Sequence, residues 1–216
     1  MPNPDAMILL LRHGQTDWNV EPARCQGWAE VPLNETGRAQ ARDQGRALRG
    51  RGLDLIVTSH LVRARETAEL ARAELAIADS AGALELVVDP RLAETDGGAW
   101  ESRLFVEIVA SEPETWRAYR EHPETFRFPD GESLAEQQRR VLACLRDVAL
   151  DGRRALLVTH GGSIRIVRRF LDGRGLIAFH DDATHNGMVD EIEAGDLARR
   201  IEDSLLGKAQ TTSPGG

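Results

Sequence analysis

Lysine is almost missing from this chain: of 27 basic residues only Lys208 is a lysine, and the rest are arginine. The body of the chain therefore offers no lysine for a Schiff base, and none for a phosphate-binding loop of the GxxxxGK[ST] type. Cysteine is scarce as well. Cys25 and Cys144 stand far apart with no CxxC, which reads as a reduced intracellular protein, and their spacing neither demands nor forbids a disulfide. Long hydrophobic runs are absent. The apolar run at residues 7–11 is too short for a secretion signal and has no basic segment before it. No stretch is long enough to cross a bilayer. A cytoplasmic protein with no membrane partner is the expectation. An excess of positive charge is also lacking: the formal net charge is −8, which argues against a nucleic-acid partner.

What remains is an ordinary globular composition, 41% hydrophobic and 29% charged over 216 residues. That length fits one domain with a sizeable core, with room for an inserted lobe. Met7-Ile8-Leu9-Leu10-Leu11 has the length of a buried strand. It stops at Arg12-His13-Gly14, so a cation, an imidazole and a turn sit at the strand's carboxyl end, where open α/β sheets bind ligands. The guanidinium can hold a phosphate bidentately, and the imidazole can attack it or shuttle a proton. Three residues alone would be weak. A second strand–His–Gly unit, Ala155-Leu156-Leu157-Val158-Thr159-His160-Gly161-Gly162, gives the first its meaning.

Between these units the chain alternates strand and helix patterns. Residues 1–6 read as a loose leader, and residues 14–33 as a loop carrying Trp18, Asn19, Gln26, Gly27 and Trp28. Asn34 caps a helix running to about Arg49. Residues 53–59 form a second strand, and Ala64, Ala68, Ala71 and Leu75 then repeat at helical spacing. Residues 84–88 form a third strand. Residues 100–128 hold six of the ten aromatics: Trp100, Phe105, Trp116, Tyr119, Phe126 and Phe128. These fill the core of a small helical lobe, with one or two left to line a substrate mouth. Ser133 and Glu136 form a capping box for the next helix. A helix follows from Ser163 to Leu171, and residues 188–192 alternate as a half-buried strand. A further edge strand is placed near Arg199–Ile201. The tail over residues 207–216 has a disordered composition. Strands alternating with helices indicate an α/β fold with a largely parallel sheet, in one domain over residues 1–206.

Taken together, Arg12-His13-Gly14-Gln15-Thr16, Asn19, the segment Thr58-Ser59-His60-Leu61-Val62-Arg63-Ala64-Arg65-Glu66-Thr67-Ala68, and Thr159-His160-Gly161 resemble the histidine phosphatase (phosphoglycerate mutase-like) superfamily. The resemblance implies a three-layer α/β/α sandwich with a mostly parallel central sheet and a small inserted helical lobe near residues 100–150. It implies that His13 is the nucleophile and that Arg12, Arg63 and His160 complete the catalytic phosphate pocket. Asn19, Gln26, Gly27 and Gly161 fall at phosphate- or substrate-binding positions, and Arg165 lies nearby with a weaker claim. Arg91-Leu92-Ala93-Glu94-Thr95-Asp96-Gly97-Gly98-Ala99-Trp100-Glu101 resembles the segment that carries the acid, placing Glu94 in that role, with Asp96 and Glu101 as competitors. Ser102 stands where glycine is usual. Pro129-Asp130-Gly131-Glu132-Ser133 matches a recurrent family segment that is read as structural.

The expected activity is metal-independent hydrolysis of a small phosphorylated metabolite through a phosphohistidine, with no cofactor. A phosphoglycerate mutase is the alternative, and a non-catalytic phospholigand-binding protein a third reading. Mutases carry a longer insertion after the acid and a basic residue there, whereas this lobe has no lysine. The cluster Phe179-His180-Asp181-Asp182-Ala183-Thr184-His185 holds metal-ligand residue types without metal-site spacing, and reads as a polar loop. The sequence leaves the oligomeric state open, a homodimer included.

Overall fold

The computed structural model describes residues 6–77, 84–181, 183–187 and 189–206. The expected leader up to residue 5, the tail over 207–216, Asp182 and Met188 lie outside the described residues.

The first strand, β1 (Met7–Arg12), is apolar on both faces because both faces are covered. Successive side chains of a strand point to opposite sides. Ile8 and Leu10 enter one core, and Leu9 and Leu11 enter another. The same division runs through β2 (Leu55–Thr58) and β4 (Ala155–Thr159), with Leu55, Val57, Ala155 and Leu157 on the first side and Ile56, Leu156 and Val158 on the second. Each fully buried Leu or Ile contributes roughly 1.5–3 kcal/mol. A charge at Leu9 or Leu10 would therefore reverse a term of that size.

With β3 (Glu85–Val88) and β5 (Val189–Glu193), the sheet order is β3-β2-β4-β1-β5. All pairings are parallel except β1 with β5. On one face lies α2 (Val62–Ala76), whose Ala64, Ala68 and Leu75 meet the sheet, with α1 (Glu35–Ala47) packed closely against it. On the other lie α5 (Leu134–Asp151), α6 (Gly161–Leu171) and α7 (Ala194–Leu205). This is the α/β/α sandwich that the resemblance implied.

Helix boundaries follow local chemistry. Asn34 Oδ1 accepts the Gly37 N–H at 2.9 Å and starts α1. Ser133 and Glu136 form the expected capping box at the start of α5, with bonds of 3.2 and 2.9 Å. The lobe is built from α3 (Phe105–Ser111) and α4 (Pro113–Glu121). Trp100 fills its centre against Trp116, Tyr119, Phe126 and Phe128. Most of α5 instead belongs to the sheet-covering layer, through Val141, Cys144, Leu145 and Val148.

Two sequence expectations need correction. The edge strand near Arg199–Ile201 is absent, since those residues lie within α7. Ala194, Leu197 and Ile201 recur at helical spacing and bury one stripe in the core, which outweighs a three-residue strand pattern. The helix placed from Ser163 begins two residues earlier, at Gly161. That earlier start turns the Gly161 and Gly162 N–H groups into the open end of α6.

Candidate active site

The carboxyl ends of β1 and β4 are adjacent in the sheet, so parallel pairing brings the two histidine units together. The His13 N–H donates to the Thr159 carbonyl at 2.9 Å, and the rings of His13 and His160 have centroids 5.1 Å apart. Gly14, next in the chain, runs so close to Gly37 that any side chain would collide with its backbone.

His13 is 2% exposed, and its Nδ1 lies 2.7 Å from the Gly14 carbonyl. A carbonyl only accepts, so Nδ1 carries the hydrogen and Nε2 keeps its lone pair. Burial holds the imidazole well below the usual histidine range, and the nearby Arg63 and Arg12 guanidiniums push the same way. At neutral pH the ring is an uncharged imidazole with a fixed tautomer. His160 is fully buried and likewise held neutral, by burial and then Arg63. Its Nε2 lies 2.8 Å from Ser59 Oγ, while Nδ1 has no partner.

A cavity of about 220 Å³ opens over His13. Arg12, Asn19, Gln26, Gly27, Arg63, Glu94 and Gly161 all line it. His160 sits against His13 rather than on the wall. Arg63, placed in the pocket by the resemblance, is fully buried and gives two donors to the Ala29 and Gly27 carbonyls, at 2.9 and 2.7 Å. Burial brings it down to about 10, with Glu94 opposing, so it stays charged at neutral pH. Arg12 is lowered by burial too and donates to the Thr184 carbonyl. The Nε atoms of both arginines are buried without a partner. Asn19 Oδ1 and Gln26 Oε1 accept from Thr16, which fixes the loop that carries them.

The carboxylates separate by role. Glu94 alone of the three candidates lines the cavity. Its Oε2 accepts the Gly162 N–H at 3.0 Å, and its Oε1 accepts from Thr95 N and Gln137 Nε2 at 2.9 and 3.1 Å. Any side chain at 162 would strike this carboxylate. Asp96 accepts from Gly98 N, and Glu101 from Trp28 N and Gly97 N. Both staple the loop.

Sequence reasoning missed the scaffold behind Glu94. Buried Gln137 also contacts Ser163 and Thr95. Arg140, paired with Glu132, donates to the Ala93 and Glu94 carbonyls, each at 2.7 Å. Trp28 Nε1 donates to the Glu94 carbonyl at 2.8 Å. The segment Pro129–Ser133, read as structural, thus supports the backbone at Glu94 through Glu132. Thr184 was overlooked within the polar loop. There His180 bonds the Tyr119 carbonyl, and Asp181 pairs with Arg174. Among the described residues no group of three His, Cys, Asp or Glu side chains could hold a metal ion. Cys25 lies on the cavity wall, its thiol pushed up to about 12 by burial, and both cysteines are free. No described helix is long and apolar enough to cross a membrane.

Known proteins are similar to this chain in sequence and in fold. A relative from Enterobacter sp. (strain 638) named "Probable phosphoglycerate mutase GpmB" is 40% identical over 157 residues, covering 71% of this chain and 69% of the relative. The solved structure of Bacillus stearothermophilus YhfR matches with a TM-score of 0.78 at 30% identity, over 87% of this chain and 91% of that one. The mycobacterial glucosyl-3-phosphoglycerate phosphatase Rv2419c, solved with VO3, matches with a TM-score of 0.73 at 30% identity, over 86% and 92%. The family pattern itself matches residues 8–204, and with the paired histidines and arginines at the strand ends the chain belongs to the histidine phosphatase superfamily (branch 1).

Proposed function

We propose that this protein hydrolyses small phosphomonoesters without a metal, through a phosphohistidine formed on His13. The observation that carries the reading is the state of His13: neutral, with its tautomer fixed by Gly14 and a free Nε2 beside two guanidiniums whose Nε–H groups lack partners. Phosphoryl transfer needs an in-line nucleophile and positive charge around the equatorial oxygens, and little else.

Nε2 of His13 attacks phosphorus, and the bond from phosphorus to the ester oxygen breaks. Arg12 and Arg63 take the equatorial oxygens. Glu94 passes a proton, taken up with the bound phosphomonoester, to the departing alkoxide. The resulting carboxylate then takes a proton from water, whose oxygen attacks phosphorus. Inorganic phosphate leaves and neutral His13 returns. The N–H groups at the start of α6 add a partial positive charge beside this path. A mutase would use the same intermediate but hand the phosphoryl group to a hydroxyl, and the Enterobacter relative's name keeps that reading in view. Hydrolysis is favoured by the short path from Glu94 to Gly131 and by a lobe without lysine.

Incubation with p-nitrophenyl phosphate, followed by acid-stable and acid-labile phosphate analysis, tests the proposal. The wild-type chain should release inorganic phosphate and show an acid-labile phosphoenzyme. His13→Ala should lose both while keeping its thermal unfolding transition. Near-normal turnover in folded His13→Ala would overturn the proposal, and transfer to an added hydroxyl without phosphate release would favour the mutase.

A further inference from the structure

Behind Glu94 lies a fully buried amide whose bonds single out one oxygen of the carboxylate. Gln137 sits in the first turn of α5 and is not part of the cavity wall. One of its Nε2 hydrogens goes to Glu94 Oε1 and the other to Ser163 Oγ, both at 3.1 Å. The Ser163 hydroxyl in turn donates to the Ala93 carbonyl at 3.1 Å, and the Thr95 hydroxyl donates to Gln137 Oε1. A flipped amide would set its oxygen against the Glu94 carboxylate and face the Thr95 hydroxyl with an N–H group. The network therefore admits a single orientation of the amide.

That orientation divides the work of the two carboxylate oxygens. Each has room for two hydrogens. Oε1 receives two N–H groups, from Thr95 at 2.9 Å and from Gln137. Oε2 receives only the Gly162 N–H, at 3.0 Å, and keeps one lone pair. A proton added to Oε1 would push away one of its two donors and leave that donor buried without an acceptor, which is costly. A proton added to Oε2 displaces nothing. Glu94 and Gly162 both line the cavity, so the open lone pair belongs to the oxygen beside the start of α6.

We propose that Oε2 is the oxygen of Glu94 that carries the catalytic proton, and that Gln137 is the positioning residue that reserves it by closing Oε1. This rests on the phosphohistidine reading of the His13 site and specifies its acid step. The proton leaves Oε2 for the ester oxygen as the phosphorus–oxygen bond breaks, with the bonding pair staying on the departing oxygen. In the second half Oε2 takes a proton from the attacking water. The departing oxygen is thereby placed on the Gly162 side of the carboxylate. Gln137 is buried away from the cavity, so its contribution passes through Glu94.

The test is a double-mutant cycle between Gln137→Met and Glu94→Gln. It is read as the single-turnover rate of phosphoenzyme formation from glycerol 2-phosphate, an alkyl ester, and from p-nitrophenyl phosphate. With Glu94 present, Gln137→Met should slow the alkyl ester about 10- to 100-fold, as for a displaced catalytic group, and the aryl ester far less. Half-saturation should stay unchanged for both, since the cavity wall is intact. With Glu94→Gln in place, the same substitution should slow the alkyl ester by no more than about 2-fold, because no proton remains to be positioned. Thr95→Val removes the hydroxyl that orients the amide, keeps the backbone N–H, and should give the same pattern at smaller size. It carries the test if Gln137→Met does not fold. Equal slowing of both esters, or equal slowing with and without the Glu94 carboxylate, overturns the assignment and leaves Gln137 a packing residue. A wild-type chain that forms a phosphoenzyme from the aryl ester alone overturns the acid step, and one that forms none from either ester overturns the His13 reading together with it.

Discussion

Replacing Glu94 by glutamine is the substitution whose outcome the geometry constrains most tightly. The carboxylate accepts three N–H groups, one on Oε2 and two on Oε1. An amide of the same shape has one accepting oxygen. Facing it toward Thr95 and Gln137 sets its NH₂ against the Gly162 N–H, so one charge-assisted bond is lost and a donor is left bare. Such a bond is worth about 1.5–3 kcal/mol. Half-buried Glu94 should fall near the lower end, and losing the negative charge opposite Arg12 and Arg63 acts in the same direction. For a chain of this size about 2–4 °C accompanies each kcal/mol, so Glu94→Gln should unfold roughly 3–8 °C earlier. Catalytically, the loss should depend on the leaving group. An alkoxide needs the proton, and a nitrophenolate departs without it. Phosphoenzyme formation from an alkyl phosphate should slow by roughly 10²–10⁴-fold, and from p-nitrophenyl phosphate far less. Single-turnover kinetics on the two esters isolates this step. Equal losses would show that Glu94 only positions groups and would move the search to Asp96 or Glu101, while an unchanged melting temperature would refute the hydrogen-bond accounting.

Stability should also depend on pH through the two buried histidines. His13 and His160 stay neutral in the folded chain because both are held well below 6.5, while the unfolded chain takes up protons below about 6.5. Their contribution is complete above that value and is lost as pH falls toward the folded values, by about 1.4 kcal/mol per pH unit for each histidine. Urea midpoints between pH 7.5 and 5 should show this, with the slope about halved in His13→Ala, and a flat profile would contradict it. Activity should survive EDTA and be inhibited by vanadate, because Arg12 and Arg63 supply the charge around phosphorus and His13 the attacking nitrogen. Loss on chelation, restored by a divalent ion, would return the metal reading of the residue 179–185 segment.

Much of this architecture was legible in the sequence because it rests on short-range chemistry. The apolar strands, the Asn34 cap and the Ser133–Glu136 box depend on residues within a few positions of one another. The placement of His13 and His160 was legible because strand–His–Gly occurs twice. What stayed hidden depends on long-range contacts. Gln137 looks like any polar residue of an amphipathic helix until folding sets it against Glu94, and Arg140 is one arginine among many until its guanidinium meets the Ala93 and Glu94 carbonyls. The stripe Ala194, Leu197, Ile201 was present in the sequence and marks α7. Reading only 199–201 was too short a window to reveal a 3.6-residue period. The strand order, with β5 reversed, had no local signature at all.

That strand order also governs how the protein must be made. β1 is made before both of its neighbours, β4 and β5, which follow it by more than a hundred residues. Translation at about 5–20 residues per second leaves roughly 7–30 s between the synthesis of Arg12 and of Ala155. Through that interval the run Ile8-Leu9-Leu10-Leu11 has neither strand partner, while β2 and β3 can already pair with each other. A nascent chain cut short before β4 would carry His13, Arg12 and Arg63 without the β4 end that completes their cavity. The pocket is therefore completed only once β4 has been made, and the apolar run of β1 waits through that interval, which makes it the natural place for a chaperone to hold the growing chain.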